Sequence, residues 1–204
     1  MISFVYFDVG GVVIQDFSGT QSWQHMLTDM GVVTPDQHDA FAALWSEYKH
    51  DVALRRDVDT LIPLIESRVG IVLPTGYSLL SDFVSRFHRN PSIDPVLTKA
   101  KGVSRIGLLT DMYPRMYQSI VAAGLMPPCI WDQIVDSSVV GLRKPDPAIF
   151  LLAMERAHVT AEEILFVDNM KANTDAADAL GWQTFLYDSS DMVGSSEKLL
   201  QLLG

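Results

Sequence analysis

The chain has one cysteine, Cys129, and only 15 lysines and arginines against 25 aspartates and glutamates in 204 residues. A lone cysteine closes no intramolecular disulfide, which points to a reducing compartment. Its setting, Pro127-Pro-Cys-Ile-Trp131, reads as a small buried side chain rather than a nucleophile. The shortage of cations leaves a net charge of −10 and a pI near 4.7. Such a surface repels phosphate backbones and anionic lipid, so neither a nucleic acid nor a membrane surface is expected as partner. No apolar run approaches the ~20 residues that span a bilayer. The first one stops at Asp8 and has no basic flank, so no signal peptide is expected either. Repeats of fixed period are absent, and with 48% hydrophobic residues, 13 Gly and 10 Pro the chain is neither disordered nor collagenous. The expectation is a soluble, cytoplasmic protein with one substantial domain, or one carrying a small insertion.

Four short apolar runs read as buried strands: Ile2 to Phe7, Arg105 to Leu109, Ile164 to Val167 and Thr184 to Tyr187. Each is nearly continuous rather than alternating, as a parallel sheet covered on both faces requires. Ile130 to Val135 is a weaker fifth, interrupted by Trp-Asp-Gln. Helical patterns lie between the later strands: Tyr113 to Ala123 with Pro114 in its first turn, Asp146 to Ala157 with Asp146 as N-cap and Pro147 at N1, Asn173 to Leu180 before Gly181, and Ser195 to Leu203. Thr160-Ala-Glu-Glu163 has the form of a capping box on at most one turn. Strand alternating with helix predicts an α/β doubly wound parallel sheet.

Residues 15–95 break that alternation. Helix follows helix, over Gln21 to Met30, Asp36 to His50, Asp57 to Val69 and Tyr77 to Arg89, with turn signals between them. A helical block inserted after the first strand predicts a small all-helical cap on a core built from residues 1–14 and 96–204. Ligands of open α/β sheets bind at the carboxyl ends of the strands, so the site is expected between core and cap.

Chemistry-bearing residues stand at those strand ends. Asp8 is followed by Gly10 and Gly11, which allow close approach of a ligand and leave backbone N–H groups free; a strand stop before a turn gives the same pattern. Thr110 offers a hydroxyl to an anionic oxygen, or caps a turn. Lys144, in Arg143-Lys-Pro-Asp-Pro147, is a rigidly held ammonium able to neutralise a carboxylate and a phosphoryl group, or a solvated loop lysine. Asp168 and Asn169 supply hard oxygens of the kind Mg²⁺ prefers, although Asn169 and Asn173 are also ordinary helix caps.

In order, Phe7-Asp-Val-Gly-Gly-Val12, Leu109-Thr110, Lys144-Pro-Asp-Pro147 and Val167-Asp-Asn-Met-Lys-Ala-Asn173 resemble the four motifs of the haloacid dehalogenase superfamily, over essentially the whole chain. The branch with a helical cap after the first strand fits, and the pattern is closest to its glucose-1-phosphatase-like phosphatases. The resemblance implies a Rossmann-like core with Asp8 as nucleophile. It implies that Thr110 and Lys144 hold a transferring phosphoryl group, with Gly10, Gly11 and Asp111 beside the substrate, and that Asp8, the Gly10 carbonyl, Asp168 and Asn169 bind Mg²⁺. The expected activity is hydrolysis of a small phosphomonoester, such as a sugar phosphate, through an aspartyl-phosphate.

The chain departs from that pattern at three positions. Relatives that are phosphatases usually carry a second Asp two residues after the nucleophile, as general acid and base; here that position is Gly10, as in some glucose-1-phosphatase-like relatives. The substrate itself, a water, or a cap residue such as His25, Tyr48 or His50 is an alternative proton source. Asn169 stands where a second acid is frequent, and Asp111 stands where Asn is frequent. Two rival readings therefore remain: a 2-haloacid dehalogenase, which needs neither the acid nor the metal, and a non-catalytic relative. Trp45, Tyr48, Arg55 and Arg56 are the cap residues expected to meet a leaving group, or to pack and solvate the cap.

Overall fold

The computed structural model describes all residues, 1–204. Chain order runs β1 (Phe4–Phe7), β2 (Ile14–Gln15), α1 (Ser22–Asp29), α2 (Pro35–Val52), a 3₁₀ turn at Val58–Leu61, α3 (Ile62–Val69), α4 (Leu79–Ser85) and β3 (His88–Arg89). It continues through α5 (Asp94–Val103), β4 (Arg105–Thr110), α6 (Met116–Ala122), β5 (Gln133–Asp136), α7 (Ser137–Val140), α8 (Pro147–Ala157), β6 (Ile164–Asp168), α9 (Lys171–Asp178), β7 (Gln183–Leu186) and α10 (Met192–Leu202). None of these helices is long and apolar enough to cross a membrane.

Five strands form one parallel sheet in the order β5-β4-β1-β6-β7. The order reverses at β1, because the chain goes to β4 on one side and later to β6 on the other. That reversal opens a crevice at the carboxyl ends of β1, β4 and β6. In register, Phe7 lies opposite Leu108 and Val167, so Asp8, Thr110 and Asp168 end adjacent strands.

The strands are apolar on both faces because each face covers a separate core. Val5 and Phe7 of β1, with Ile106, Leu108, Leu165 and Val167, join a large cluster that continues into α1–α5. Phe4 and Tyr6, with Leu109, Ile164 and Phe166, join a smaller one with Phe150 and Trp182 of the opposite layer. Phe4 and Tyr6 rings sit 4.5 Å apart and Trp182 stacks on Tyr6 at 5.9 Å. Gly107 makes room for them: a Cβ there would lie 2.9 Å from each of the Phe4 and Tyr6 rings and 2.8 Å from the Gln133 carbonyl. Overpacking of this kind costs about 1–3 kcal/mol. Gly107→Ala is expected to lower the urea midpoint accordingly at unchanged m-value, and an unchanged midpoint would contradict this packing.

Several elements differ from the expected ones. The helix expected over Tyr113 to Ala123 begins only at Met116, after Arg115 takes a positive φ of 71°, so Pro114 lies outside it. Tyr77 to Arg89 is not one helix: α4 is short, and His88–Arg89 leaves it to pair antiparallel with Ile14–Gln15. The fifth strand is shifted to Gln133–Asp136, because Trp131 turns to pack against Phe7 at 6.4 Å. Helices α5 and α7 were not anticipated. Asp146 does cap α8, accepting from Ala148 N–H, and Thr160 and Glu163 make both bonds of a capping box on a 3₁₀ turn. Cys129 is half-buried rather than buried.

Candidate active site

The turn after β1 is tight. Gly11 N–H donates to the Ile14 carbonyl and Ile14 N–H to the Val9 carbonyl, and Gly11 takes a φ of 75°. A Cβ on Gly11 would strike the Asn169 amide and the Ser189 hydroxyl, so glycine is required there. The turn brings the chain back past Gly10 and sends it into β2.

Asp8 lies at the floor of a cleft of about 370 Å³, within the range of small-molecule sites. Its Oδ1 accepts from Val9 N–H at 2.7 Å and lies 3.0 Å from Lys144 Nζ, which leaves Oδ2 to the cleft. Lys144 is 1% exposed; it donates to Asp168 Oδ2 at 2.6 Å and to the Leu109 carbonyl at 3.0 Å, and forms its ion pair with Asp8 beside them. Burial alone would lower this ammonium, but Asp168, Asp8 and Asp111 outweigh it and hold the pKa above its ordinary value. Burial, reinforced by Asp168 and Asp111 and opposed by Lys144, pushes the Asp8 carboxyl up to about 7.

Asp168 is fully buried and does not line the cleft. Both its oxygens are engaged, by Lys144, by Asn173 Nδ2 and by Met170 N–H. Its neighbour Asn169 does line the cleft. Asn169 Nδ2 donates to Ser189 Oγ at 2.9 Å, whereas Asn169 Oδ1 is buried with no partner. Thr110 Oγ1 is likewise buried and unpartnered. Buried polar atoms without partners are rare; Asn169 lines the cleft, whereas Thr110, 1% exposed, lies beneath it and does not.

Asp111 lines the cleft but is committed to the loop beside it: Oδ1 accepts from Lys144 N–H at 3.0 Å and Oδ2 lies 3.8 Å from Arg143 Nε. Gly10 lines the cleft, while Gly11 serves the turn. Of the alternative proton sources, His50 reaches the cleft, in contact with Arg143; His25 and Tyr48 do not. Trp45 packs among Trp23, Phe41, Phe83 and Tyr113, and Tyr48 lies under the Arg56 guanidinium at 4.5 Å. Arg55 pairs with Asp51 on the surface. None of these cap residues lines the cleft.

Nothing in the sequence singles out Arg143 or Asp16, yet both line the cleft. Asp16 Oδ1 accepts from Ser18 N–H at 2.8 Å, and burial raises its carboxyl above the ordinary range against that bond. Asp8 and Asp16 share no strand or helix; the turn at Gly10 and Gly11 brings the chain back.

The family model for haloacid dehalogenase-like hydrolases matches residues 3–181. The chain belongs to this family. Solved structures of other members share the fold. A predicted HAD-like family hydrolase from Porphyromonas gingivalis superposes with a TM-score of 0.73 at 22% identity, covering 98% of each chain. A HAD family enzyme of Bacteroides thetaiotaomicron, solved with magnesium and inorganic phosphate, gives 0.66 at 17% identity over 93% of this chain and 96% of its own. The L-2-haloacid dehalogenase of Xanthobacter autotrophicus, solved with chloropropionic acid covalently bound, gives 0.60 at 20% identity over 90% and 76%. Part of the chain also matches two much longer proteins, acyl-CoA dehydrogenase family member 10 of Mus musculus and a drimenol cyclase of Aspergillus calidoustus. Each is 34% identical, over 74 and 64 residues, and the matches span 7% and 12% of their lengths.

A divalent cation fits this hydrolase's site. Asp8, Asp16 and Asp111 line the cleft with Lys49, Arg143 and Lys144, so the carboxylates leave no net positive charge to meet a phosphate dianion. The available donors are all hard oxygens, and Asn169 Oδ1 has no other partner. No three His, Cys, Asp or Glu side chains come together to hold a metal, so the oxygens of Asn169 and the backbone must make up the set.

Proposed function

We infer that the protein is a Mg²⁺-dependent phosphomonoesterase that hydrolyses a small phosphorylated metabolite, such as a sugar phosphate, in the cytoplasm. Residues 15–95 act as a cap on the core of residues 1–14 and 96–204, and the cleft below the cap sets the size of the substrate. The observation that carries this reading is the pairing of a cleft-facing Asp8 carboxylate with the buried Lys144 ammonium, in the same cleft as Asn169, whose buried Oδ1 has no partner.

Asp8 Oδ2 attacks phosphorus in line, and the new bond to oxygen replaces the bond to the leaving group. Lys144 screens the carboxylate from the incoming dianion, and the Thr110 hydroxyl donates to an equatorial oxygen. Water then displaces the phosphoryl group from Asp8. Asp8, the Gly10 carbonyl and Asn169 would hold the Mg²⁺, and Asp168 acts through Lys144, which it positions. When bound, the ion acts as a Lewis acid on the phosphoryl oxygens and offsets the charge of Asp8.

Dehalogenation would use the same Asp8 on carbon, and the two chemistries separate under a chelator. Phosphate release from a panel of phosphorylated metabolites is expected to require Mg²⁺ and to stop in excess chelator. Halide release from a 2-haloacid that continues undiminished in chelator would overturn the reading.

A further inference from the structure

The position two residues after Asp8 is glycine, but the space beside it is filled. A Cβ built on Gly10 would lie 2.5 Å from Asp16 Oδ2 and 3.1 Å from Asp16 Cγ. Those separations place the Asp16 carboxyl in the volume where the carboxyl of a residue-10 aspartate would begin. Gly10 does not have a positive φ, so backbone strain does not call for glycine there. The neighbouring carboxyl does.

Asp16 is held there from both sides. Gln15, just before it, pairs with His88 in the β2–β3 ribbon. Phe17, just after it, is wedged among Trp23, Phe83 and Phe87 at ring distances of 5.2–5.4 Å. Ser18 N–H fixes Oδ1, so Oδ2 is the oxygen turned toward Gly10. Asp16 also lines the same cleft as Asp8.

We propose that Asp16 is the general acid and base of this hydrolase, its carboxyl delivered to the residue-10 position by the β2–β3 ribbon rather than by residue 10 itself. The role rests on the phosphatase reading. In the first step the Asp8–phosphorus bond forms, the bond from phosphorus to the leaving oxygen breaks, and the Asp16 carboxyl gives that oxygen its proton. In the second step Asp16, now a carboxylate, takes a proton from the attacking water while the phosphorus–Asp8 bond breaks. One ester and one water become one alcohol and one phosphate, and Asp16 ends protonated as it began.

The bland alternative is that Asp16 only closes the turn by accepting from Ser18. Asp16→Asn separates the two, since an amide oxygen keeps that acceptor and loses the proton. General acid–base catalysis contributes ~10²–10⁴-fold. Turnover of alkyl phosphates by Asp16→Asn is expected to fall by that order. With an aryl phosphate, whose leaving group needs no proton, the initial burst of aryl alcohol is expected to persist within a few-fold while the steady state slows. Equal losses on alkyl substrate and aryl burst, or no loss at all, would overturn the assignment.

A second pair of variants stands apart from the first. Gly10→Asp alone is expected to lower alkyl-phosphate turnover, because the new side chain collides with Asp16. Combined with Asp16→Ala, it is expected to restore at least tenfold over Asp16→Ala alone. A folded double variant no faster than Asp16→Ala would contradict the proposal. Wild-type enzyme that releases no phosphate from any ester in the presence of Mg²⁺ would instead bring down the phosphatase reading beneath it.

Discussion

Asp8→Asn is expected to lose turnover by about 10⁴-fold or more, since it removes the nucleophile at which both steps occur. The fold should survive the change, because Asn is nearly isosteric and Lys144 keeps Asp168 and the Leu109 carbonyl as partners. Stability in metal-free buffer should even improve at high pH. The Asp8 carboxyl has a folded pKa of about 7 against an ordinary value of 3.8, so between those values the folded state binds the proton more tightly. Stability linked to that proton is present below the ordinary value and is lost as pH rises through 7. Removing the carboxyl removes the loss. Thermal melts at pH 8 should therefore place Asp8→Asn at or above wild type, and the advantage should shrink as the pH falls toward 4. A variant less stable than wild type at pH 8 would show that the buried charge is not a cost.

Lys144→Met should remove both activity and stability. Lys144 is 1% exposed and Asp168 is fully buried, so the substitution strands carboxylates without their counter-ion. Breaking a buried pair by deleting one partner costs about 3–5 kcal/mol. Urea denaturation should show a loss of that order. Adding Asp168→Asn to Lys144→Met should return part of it, because the stranded charge is then gone. Activity should not return with it, since no ammonium faces Asp8. A stable Lys144→Met, or a double variant no better than the single, would mean that Asp168 does not exist to hold Lys144.

How legible this was in the sequence varied with the range of the interaction that decided each feature. The central strands could be read because Phe4–Phe7, Arg105–Thr110 and Ile164–Asp168 are buried on both faces and carry continuous apolar runs. Their polar ends could be read for the same reason: Asp8, Thr110 and Asp168 are where the runs stop. Two-residue strands carry no periodicity, so the β2–β3 ribbon was invisible, and with it the route that carries Asp16 back to Gly10. Arg143 was hidden by its neighbour, as the loop lysine was the obvious cation. The roles of Asp168 and Asn169 divide in a way that sequence could not show. Adjacent residues at the end of a strand point to opposite sides, one into the protein and one into the cleft.

The most direct measurement is to trap the covalent intermediate. Wild-type enzyme turning over an aryl phosphate is quenched in acid, digested, and the peptide containing Asp8 is weighed by mass spectrometry. The account predicts a phosphoryl increment that fragmentation places on Asp8. It should be more abundant in Asp16→Asn, where water attack is slowed, and absent from Asp8→Asn. Steady turnover with Asp8 unmodified at every quench time in both wild type and Asp16→Asn, or with the phosphoryl group on another side chain, would contradict it.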